Sequence, residues 1–223
     1  MQNSVYIKEI FTSVQGEGLY TGCNQLFIRF TKCNLHCSYC DTDFKTNMKE
    51  YNAKELADIV NGTKNIHSVS LTGGEPLTEI DFLFHFLPLI NKKIYLETNG
   101  TLSQDLKKII KYIDIIAMDI KLDSASKTGN LFIAHQDFIE TAVKEGKEIF
   151  LKAVFDENIT ENEIQQTILL AKKYGLILIL QPKMDGELLK IPSVKICEIF
   201  NNFNSKYDKV RLIPQVHKFM NVQ

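Results

Sequence analysis

Length, composition and charge already exclude several classes of protein. The chain has 223 residues, 44% of them hydrophobic, so it can bury one substantial core, and its formal net charge of −1 offers no broad basic surface for nucleic acid. Its apolar runs are too short to cross a bilayer, no secretory signal is visible, and an odd count of five cysteines argues against a disulfide framework. We therefore expect one cytoplasmic domain over residues 1–223 that binds neither nucleic acid nor membrane.

Short apolar segments rich in β-branched residues alternate along the chain with amphipathic stretches. The predicted strands are 26–30, 68–71, 94–97, 115–120, 149–155, 176–180 and 210–213. The predicted helices lie near 53–60, 81–90, 103–111, 137–145, 161–174 and 193–204. Apolar strands separated by one helix each indicate a parallel sheet covered by helices. About six β/α units fall short of the eight in a closed barrel, so we predict an α/β fold with an incomplete, open parallel β/α barrel.

Three cysteines follow the first predicted strand with the spacing C-x3-C-x2-C: Cys33, Cys37 and Cys40. A structural zinc site uses four ligands, typically in two separated pairs, and the distant Cys197 supplies no second pair. A [4Fe–4S] cluster held by three thiolates keeps one iron open for another molecule. The pattern therefore indicates such a cluster and an enzyme, while a non-catalytic zinc or iron–sulfur binding protein stays open as the alternative.

Polar motifs follow the predicted strands at their carboxyl ends, where ligands collect in parallel α/β folds. Besides the cysteine loop, these motifs are Thr-Gly-Gly-Glu-Pro at 72–76, Glu-Thr-Asn-Gly-Thr at 97–101, Asp-Ile-Lys at 119–121 and Gln-Pro at 181–182. We expect the five motifs to form one site. Gly73 and Gly74 have no side chains, so the backbone there can approach a ligand closely.

The cysteine spacing, the aromatic Tyr39 before the last cysteine and the Gly-Gly-Glu-Pro run resemble the radical S-adenosylmethionine superfamily. The resemblance covers nearly the whole chain. It implies that adenosylmethionine chelates the open iron, and that one electron cleaves the sulfonium to a 5′-deoxyadenosyl radical. The residues that it implies for cofactor binding are Tyr39, Asp41, Gly73, Gly74, Glu75, Asn99, Asp119, Lys121 and Gln181, with Glu75 facing the ammonium group. A salt bridge between Asp119 and Lys121 stays open as an alternative.

The N-terminal segment narrows the resemblance. Phe-Thr-Ser-Val-Gln-Gly-Glu-Gly at 11–18, Phe-Ile-Arg-Phe at 27–30 and Cys-Asp-Thr at 40–42 are similar to the 7-carboxy-7-deazaguanine synthases. Those lyases rearrange 6-carboxy-5,6,7,8-tetrahydropterin to 7-carboxy-7-deazaguanine, with loss of ammonia, on the route to queuosine. The nearest alternative is another radical enzyme, such as a glycyl-radical activase, which acts on a protein.

The resemblance also implies a substrate loop over residues 1–24 and a C-terminal tail, 210–223, that closes the site. The residues implied for substrate binding are Val14, Gln15, Gly16, Glu17, Arg29, Thr72, His217 and Gln223. Arg29 lies inside an apolar strand, where an unpaired guanidinium is costly, so it either clamps the substrate carboxylate or pairs with Glu9 or Glu97. His217 either contacts the substrate or holds the tail. The final Gln223 departs from the proline of the family pattern, which weakens the expected tail contact.

The remaining expectations concern the metal ion and the partners. Together with the three cysteines, Arg29 is expected to carry the reaction. A threonine directly after the cluster loop, here Thr42, implies a Mg²⁺ ion that bridges to the substrate carboxylate. A turn or cap at Asp41 and Thr42 is the alternative. Electrons are expected from a flavodoxin or ferredoxin, and the resemblance implies a homodimer.

Overall fold

A computed structural model gives the fold and describes residues 4–40 and 48–222. The strands within these ranges are β1 (Ser4–Val14), β2 (Asn24–Phe30), β3 (Lys49–Asn52), β4 (Ser68–Gly73), β5 (Ile94–Thr98), β6 (Ile115–Ile120), β7 (Glu148–Phe155), β8 (Leu178–Pro182), β9 (Met184–Asp185), β10 (Leu188–Leu189) and β11 (Val210–Leu212). The α-helices are α1 (Ala53–Gly62), α2 (Ile80–Phe86), α3 (Ser103–Ile109), α4 (Asp123–Ser126), α5 (Phe132–Lys144), α6 (Glu161–Tyr174), α7 (Ser193–Lys206) and α8 (Val216–Met220).

Nine strands form one sheet in the order β11-β8-β7-β6-β5-β4-β2-β1-β3. From β2 to β11, all neighbouring strands are parallel, and these seven strands are the seven that the sequence predicts. Strand β1 then adds antiparallel to β2, and β3 adds antiparallel to β1. The sheet is open, with β11 at one edge and β3 at the other. The predicted α/β fold with an open parallel sheet is confirmed.

Several predicted boundaries are wrong. The prediction of residues 1–24 as a loop fails for Ser4–Val14, because these residues form β1, where a register shift between Ile7 and Glu9 interrupts the alternating pattern. Helix α5 begins at Phe132, five residues before the predicted start at 137, and β8 is displaced by two residues from the predicted 176–180. Strand β3 and the β9–β10 hairpin were not expected.

The outer face of the sheet carries the main hydrophobic core. Along β7, Ile149, Leu151, Ala153 and Phe155 all belong to it, and the helices pack their apolar residues against them. Local signals define the helices: Thr160, for example, caps α6 in a capping box with Glu163. None of the helices in the described part of the chain is long and apolar enough to span a membrane.

The inner face has a smaller apolar cluster at the amino-terminal ends of the strands. It consists of Tyr95, Ile115, Ala117, Phe150 and Ile179. Leu19 and Tyr20, on the loop after β1, pack against this cluster and cover it. One step further along the strands, the inward positions become polar. The carboxyl-terminal half of the inner face is therefore the part of the sheet that is built for ligands.

Candidate active site

A cavity of about 630 Å³ lies on the inner face, at the carboxyl ends of the parallel strands. The predicted site residues that line it are Val14, Gln15, Gly16, Glu17, Arg29, Cys33, Cys37, Tyr39, Cys40, Thr72, Gly73, Gly74, Asn99, Asp119, Lys121, Gln181 and His217. The structure thus brings residues from all five strand-end motifs to one cavity, while the role of each residue toward a ligand stays a prediction. Asp41, Thr42 and Gln223 lie outside the described residues.

Two hydrogen-bonded anchors hold the cysteine loop against the strand ends. On one side, the Glu75 N–H donates to the Lys32 carbonyl at 2.7 Å. On the other, the Ser38 N–H donates to the Ser126 carbonyl at 2.8 Å, and the Ser38 hydroxyl donates to the Ala125 carbonyl at 2.7 Å. The loop therefore has a defined place on the rim, between the end of β4 and helix α4.

Cys33, Cys37 and Cys40 are all free thiols that line the cavity. Burial raises the pKa of the Cys33 and Cys37 thiols, so loss of their protons must accompany the binding of a metal. Within 4–40 and 48–222, no three His, Cys, Asp or Glu side chains converge on a point that suits a single metal ion. A [4Fe–4S] cluster needs no such convergence, because each thiolate binds a different iron.

Gly73 and Gly74 line the cavity and also lie close to the backbone of β2 and of the cysteine loop, so their expected approach to a ligand stays a prediction. A Cβ on Gly74 would lie 1.9 Å from the Lys32 carbonyl oxygen, and one on Gly73 would lie 2.5 Å from the Phe30 backbone. Gly73 also has a φ of 108°, which side chains rarely adopt. The two glycines therefore let the end of β4 pack directly on the start of the cysteine loop.

Glu75 does not reach the cavity, so its expected contact with the cofactor ammonium is wrong for this structure. Its carboxylate is fully buried and accepts hydrogen bonds from the Asn99 N–H at 2.7 Å and the Thr98 hydroxyl at 2.9 Å. Burial raises the pKa of Glu75 to about 7, although these hydrogen bonds act in the opposite direction. Glu75 joins the ends of β4 and β5 beneath the site.

The Asn99 amide braces the cysteine loop. Its Nδ2 donates to Asn34 Oδ1 at 2.8 Å, and its Oδ1 accepts from the Thr101 N–H at 3.1 Å. Asn34, which lies directly after the first cysteine, also donates to the Thr101 hydroxyl at 2.9 Å. Both ends of the Asn99 amide are thus bound within the protein, although the residue lines the cavity.

Arg29 lies at the cavity wall in an ion pair. Its Nε atom is 3.5 Å from Glu9 Oε2, and its guanidinium carbon is 5.7 Å from the centre of the Phe11 ring. The sheet register pairs Arg29 with Thr72 on β4, and both residues line the cavity. The pairing with an acid that the sequence left open is present, and it leaves the guanidinium at the cavity surface.

Sequence reasoning missed Lys152, which lies at the centre of the cavity floor. Only 3% of its side chain is exposed, and its ammonium is 2.8 Å from Glu17 Oε2, 3.2 Å from Asp119 Oδ1 and 3.9 Å from Glu97 Oε2. The signal was available, because a lysine inside an apolar strand is as exceptional as the arginine at 29. The salt bridge between Asp119 and Lys121 is also present, at 3.1 Å.

The basic groups on the floor lower the pKa values of Glu17 and Asp119. Burial by itself would raise the pKa of Glu17, but the charge and hydrogen bond of Lys152 outweigh it and lower the pKa to about 2. The pKa of Asp119 is lowered in the same way, because Lys121 and Lys152 overcome the effect of burial. The floor thus contains ionised pairs.

The loop after β1 and the C-terminal tail lie together above this floor. The Gln15 Nε2 donates to Gln25 Oε1 at 2.9 Å and to Glu97 Oε1 at 3.0 Å, so both of its hydrogens are used within the protein. Its Oε1 accepts from the Glu17 N–H at 3.0 Å, so only the second lone pair of this oxygen is left for the expected contact with a pterin.

The tail is joined to the loop at three places. The Val216 N–H donates to the Gly16 carbonyl at 2.9 Å, and Gln215 Nε2 donates to Glu17 Oε1 at 2.7 Å. His217 packs so closely on Gly16 that a Cβ there would lie 2.1 Å from the His217 Nδ1. His217 therefore holds the tail on the loop, and both segments form part of the cavity wall.

Comparison with known proteins identifies the family. The model of the Radical SAM superfamily matches residues 27–187. The 7-carboxy-7-deazaguanine synthase of Geobacter sulfurreducens is 36% identical in a match that covers 96% of each chain. The chain belongs to the 7-carboxy-7-deazaguanine synthase family. The synthase of Methanothermobacter thermautotrophicus is 31% identical over 97% of each chain.

Solved structures agree on the fold of this synthase family member. QueE from Escherichia coli superimposes with a TM-score of 0.64 at 18% identity, over 96% of this chain and 95% of that one. A radical SAM methyltransferase from Sphaerobacter thermophilus gives a TM-score of 0.63 at 13% identity, over 94% of this chain and 73% of that one. At these identities, the comparisons describe the architecture alone.

As a radical SAM protein, this synthase family member uses a [4Fe–4S] cluster and adenosylmethionine, and the residues present fit both. Three free thiols border one cavity, as a cluster with an open iron requires. Gln181 lies in the same wall with 3% of its surface exposed, and its Oε1 has no hydrogen-bond partner among the described residues. A buried acceptor of this kind suits an amino group of a bound ligand.

Proposed function

We propose that this protein converts 6-carboxy-5,6,7,8-tetrahydropterin to 7-carboxy-7-deazaguanine with release of ammonia, in queuosine and 7-deazapurine biosynthesis. One observation carries the proposal: in a member of this family, the three cysteines, Arg29 and the loop at 15–17 line a single cavity. A glycyl-radical activase or a non-catalytic metal-binding protein would not need Arg29 and the loop at 15–17 in the cavity. Similarity to the synthases over 96% of the chain also favours the proposal.

The charge of the cavity suits two carboxylated ligands. The basic residues in its lining are Lys8, Arg29, Lys121, Lys152, Lys183 and Lys218, and the acidic ones are Glu9, Glu17, Glu97 and Asp119. Because basic groups outnumber acidic ones, the cavity attracts both the methionine carboxylate and the carboxylate of the pterin. The acids gather on the floor around Lys152, while Arg29 lies at the wall, so a substrate would meet different charges at its two ends.

The two ends of the substrate would be held by different residues. The Arg29 guanidinium, with the Thr72 hydroxyl beside it in register, binds the substrate carboxylate. The ionised Glu17 carboxylate accepts from N–H groups of the pyrimidine ring. Loop and tail above the floor exclude water from the reaction. When bound, the cluster and adenosylmethionine supply the radical that removes a hydrogen atom from C6 of the pterin.

A magnesium ion and two kinds of partner complete the proposal. Thr42 would supply a hydroxyl oxygen to a Mg²⁺ ion that helps to hold the substrate carboxylate, since this hard cation prefers oxygen ligands. Cys40 is exposed, so a cluster held by this thiol would be accessible to a flavodoxin or ferredoxin that delivers an electron. We also propose a homodimer, which sedimentation would test.

The magnesium ion has a test of its own. Chelation of divalent ions should lower turnover, and added Mg²⁺ should restore it.

The test is an anaerobic reaction of reconstituted enzyme with dithionite, adenosylmethionine and 6-carboxytetrahydropterin. Mass spectrometry should find 7-carboxy-7-deazaguanine, together with ammonia. Formation of 5′-deoxyadenosine without any deazaguanine acid would contradict the substrate and favour another radical enzyme. One zinc ion and no sulfide, in place of about four irons, would reject radical chemistry altogether.

A further inference from the structure

The cavity floor contains a network of buried charges around a lysine that has no role in the proposed reaction. Lys152 lies at its centre and contacts Glu17 on the loop, Glu97 on β5 and Asp119 on β6, at 2.8, 3.9 and 3.2 Å. We call these four residues the floor network. A buried lysine that meets carboxylates from three different segments is exceptional, because each buried charge is costly unless it is paired. The arrangement therefore points to a role beyond packing.

From Lys152 the contacts continue toward both sides of the cavity. On the substrate side, the second oxygen of Glu17 accepts from Gln215 at 2.7 Å, which attaches the tail. On the cysteine side, the second oxygen of Asp119 lies 3.1 Å from Lys121, whose ammonium is 5.6 Å from the centre of the Tyr39 ring. One ammonium thus joins the segments that would hold the substrate to those around the cysteine loop.

We propose that Lys152 is a positioning residue: it ties the loop and the tail to the cavity floor, and so fixes the substrate relative to adenosylmethionine. This inference rests on the proposed function, which assigns the substrate to the loop side. Without the ammonium, three carboxylates would face one another in a buried site, and their repulsion would displace the one on the loop, Glu17. Glu97 and Asp119 are on strands and have less freedom to move.

The electrostatics of the floor support this assignment. Lys152 holds the pKa of Glu17 at about 2, so the loop carboxylate stays charged and bound at all pH values at which the enzyme would work. In turn, Asp119 and Glu17 keep the pKa of Lys152 well above its usual value despite burial. The contact between loop and floor is therefore an ion pair throughout that range.

The first test compares Lys152→Met with Lys152→Arg in the reconstituted enzyme. Product and 5′-deoxyadenosine are both measured, because their ratio reports whether the radical meets a correctly placed substrate. In Lys152→Met we expect the product formed per 5′-deoxyadenosine to fall about tenfold or more, and in Lys152→Arg we expect partial recovery. Lys173→Met is the matched control, since Lys173 pairs with Glu140 on the surface and does not line the cavity. It should leave the ratio unchanged.

A second readout needs neither cluster nor substrate. In hydrogen–deuterium exchange of the cluster-free chain, Lys152→Met should exchange faster in residues 15–23 and 213–222, but not in helix α6. Glu17→Gln should give the same pattern, because it removes the loop carboxylate while Lys152 keeps Asp119. This variant also covers the case in which Lys152→Met does not fold.

The outcomes separate the two proposals. Wild-type enzyme that forms no deazaguanine acid would contradict the proposed function. Normal wild-type turnover, with an unchanged ratio in the folded variants, would overturn the inference about Lys152 alone. Faster exchange spread evenly over α6, the loop and the tail would also overturn it, because Lys152 would then contribute only to general stability.

Discussion

The two faces of strand β7 differ sharply in what they contact. Leu151 and Ala153 point outward into the main core, whereas Phe150 and Lys152 point inward, the first into the small apolar cluster and the second into the cavity floor. Because side chains alternate along a strand, a single segment serves both purposes. The outer positions provide stability, and the inner positions place charges where ligands would bind.

This difference teaches how to find the site in such a sheet. Apolar runs identify the strands, and the charged exceptions within them mark the inner face, as Arg29, Asp119 and Lys152 do here. A buried charge adds little to stability even when it is paired, so its presence indicates another use. The four predictions that follow challenge this contrast, in order of decreasing effect.

The largest loss of activity should follow from replacing a cysteine at the edge of the inner-face cavity. Cys37→Ala removes one of three thiolates, so we expect the cluster to be lost and product formation to be abolished. Iron and sulfide analysis after anaerobic reconstitution, followed by the product assay, checks this. Cys197→Ala is the control, because that thiol is exposed on α7; loss of the cluster in this variant would show that a ligand has been misplaced.

On the outer face, Leu151→Ala should destabilise the fold without a specific effect on the reaction. The side chain is fully buried, so its truncation leaves a cavity and should lower the free energy of unfolding by about 2–5 kcal/mol. Denaturant unfolding of the cluster-free chain measures this loss. Leu169→Ala, at a residue that is 66% exposed, should change it by less than about 0.5 kcal/mol. If Leu151→Ala formed less product per 5′-deoxyadenosine, the outer face would also affect the reaction, which would contradict the division of roles between the two faces.

His135 on helix α5 tests whether a buried ionisable side chain stays neutral. It is fully buried on α5, and burial lowers its pKa from 6.5 to about 4, so the folded protein keeps the ring neutral. Because the pKa is lower in the folded state, the free energy of unfolding has its full value above pH 6.5. It decreases by about 3 kcal/mol as the pH falls toward 4, since the unfolded chain then binds a proton that the folded one does not. Unfolding of His135→Leu should lack this part of the pH dependence. An unchanged pH profile would mean that the ring is already charged in the folded state.

Gly74→Ala should give the smallest of the four effects. The added Cβ would meet the Lys32 carbonyl, so we expect a displaced cysteine loop, weaker cluster binding and a stability loss of about 1–3 kcal/mol. Gly62→Ala is a matched control, because open space surrounds that position at the end of α1. Equal iron contents in the two variants would show that the close approach at Gly74 is unimportant.

The parallel strands could be predicted because their apolar runs are continuous, and the site followed from the polar residues at their ends. Strand β1 was missed for a physical reason: the register shift after Ile7 breaks the alternation on which strand prediction depends. The chain order also conceals that this segment is the antiparallel neighbour of β2.

Which side chains face a ligand could not be predicted from the sequence. Glu75 and Asn99 stand in the expected motifs, but both bind backbone or side-chain groups of neighbouring segments. Lys152 stands out as a lysine in an apolar strand, but its partners could not be predicted, because the three carboxylates are 135, 55 and 33 positions away in the chain and no local pattern connects them to it. Such pairings arise only when the sheet brings different strands together.

The most direct test is a structure of the anaerobically reconstituted protein with adenosylmethionine and 6-carboxytetrahydropterin bound. We predict a [4Fe–4S] cluster on Cys33, Cys37 and Cys40, with the pterin in the inner-face cavity between Arg29 and Glu17. Pterin bound outside this cavity, or a single metal ion held by the three cysteines, would contradict the account.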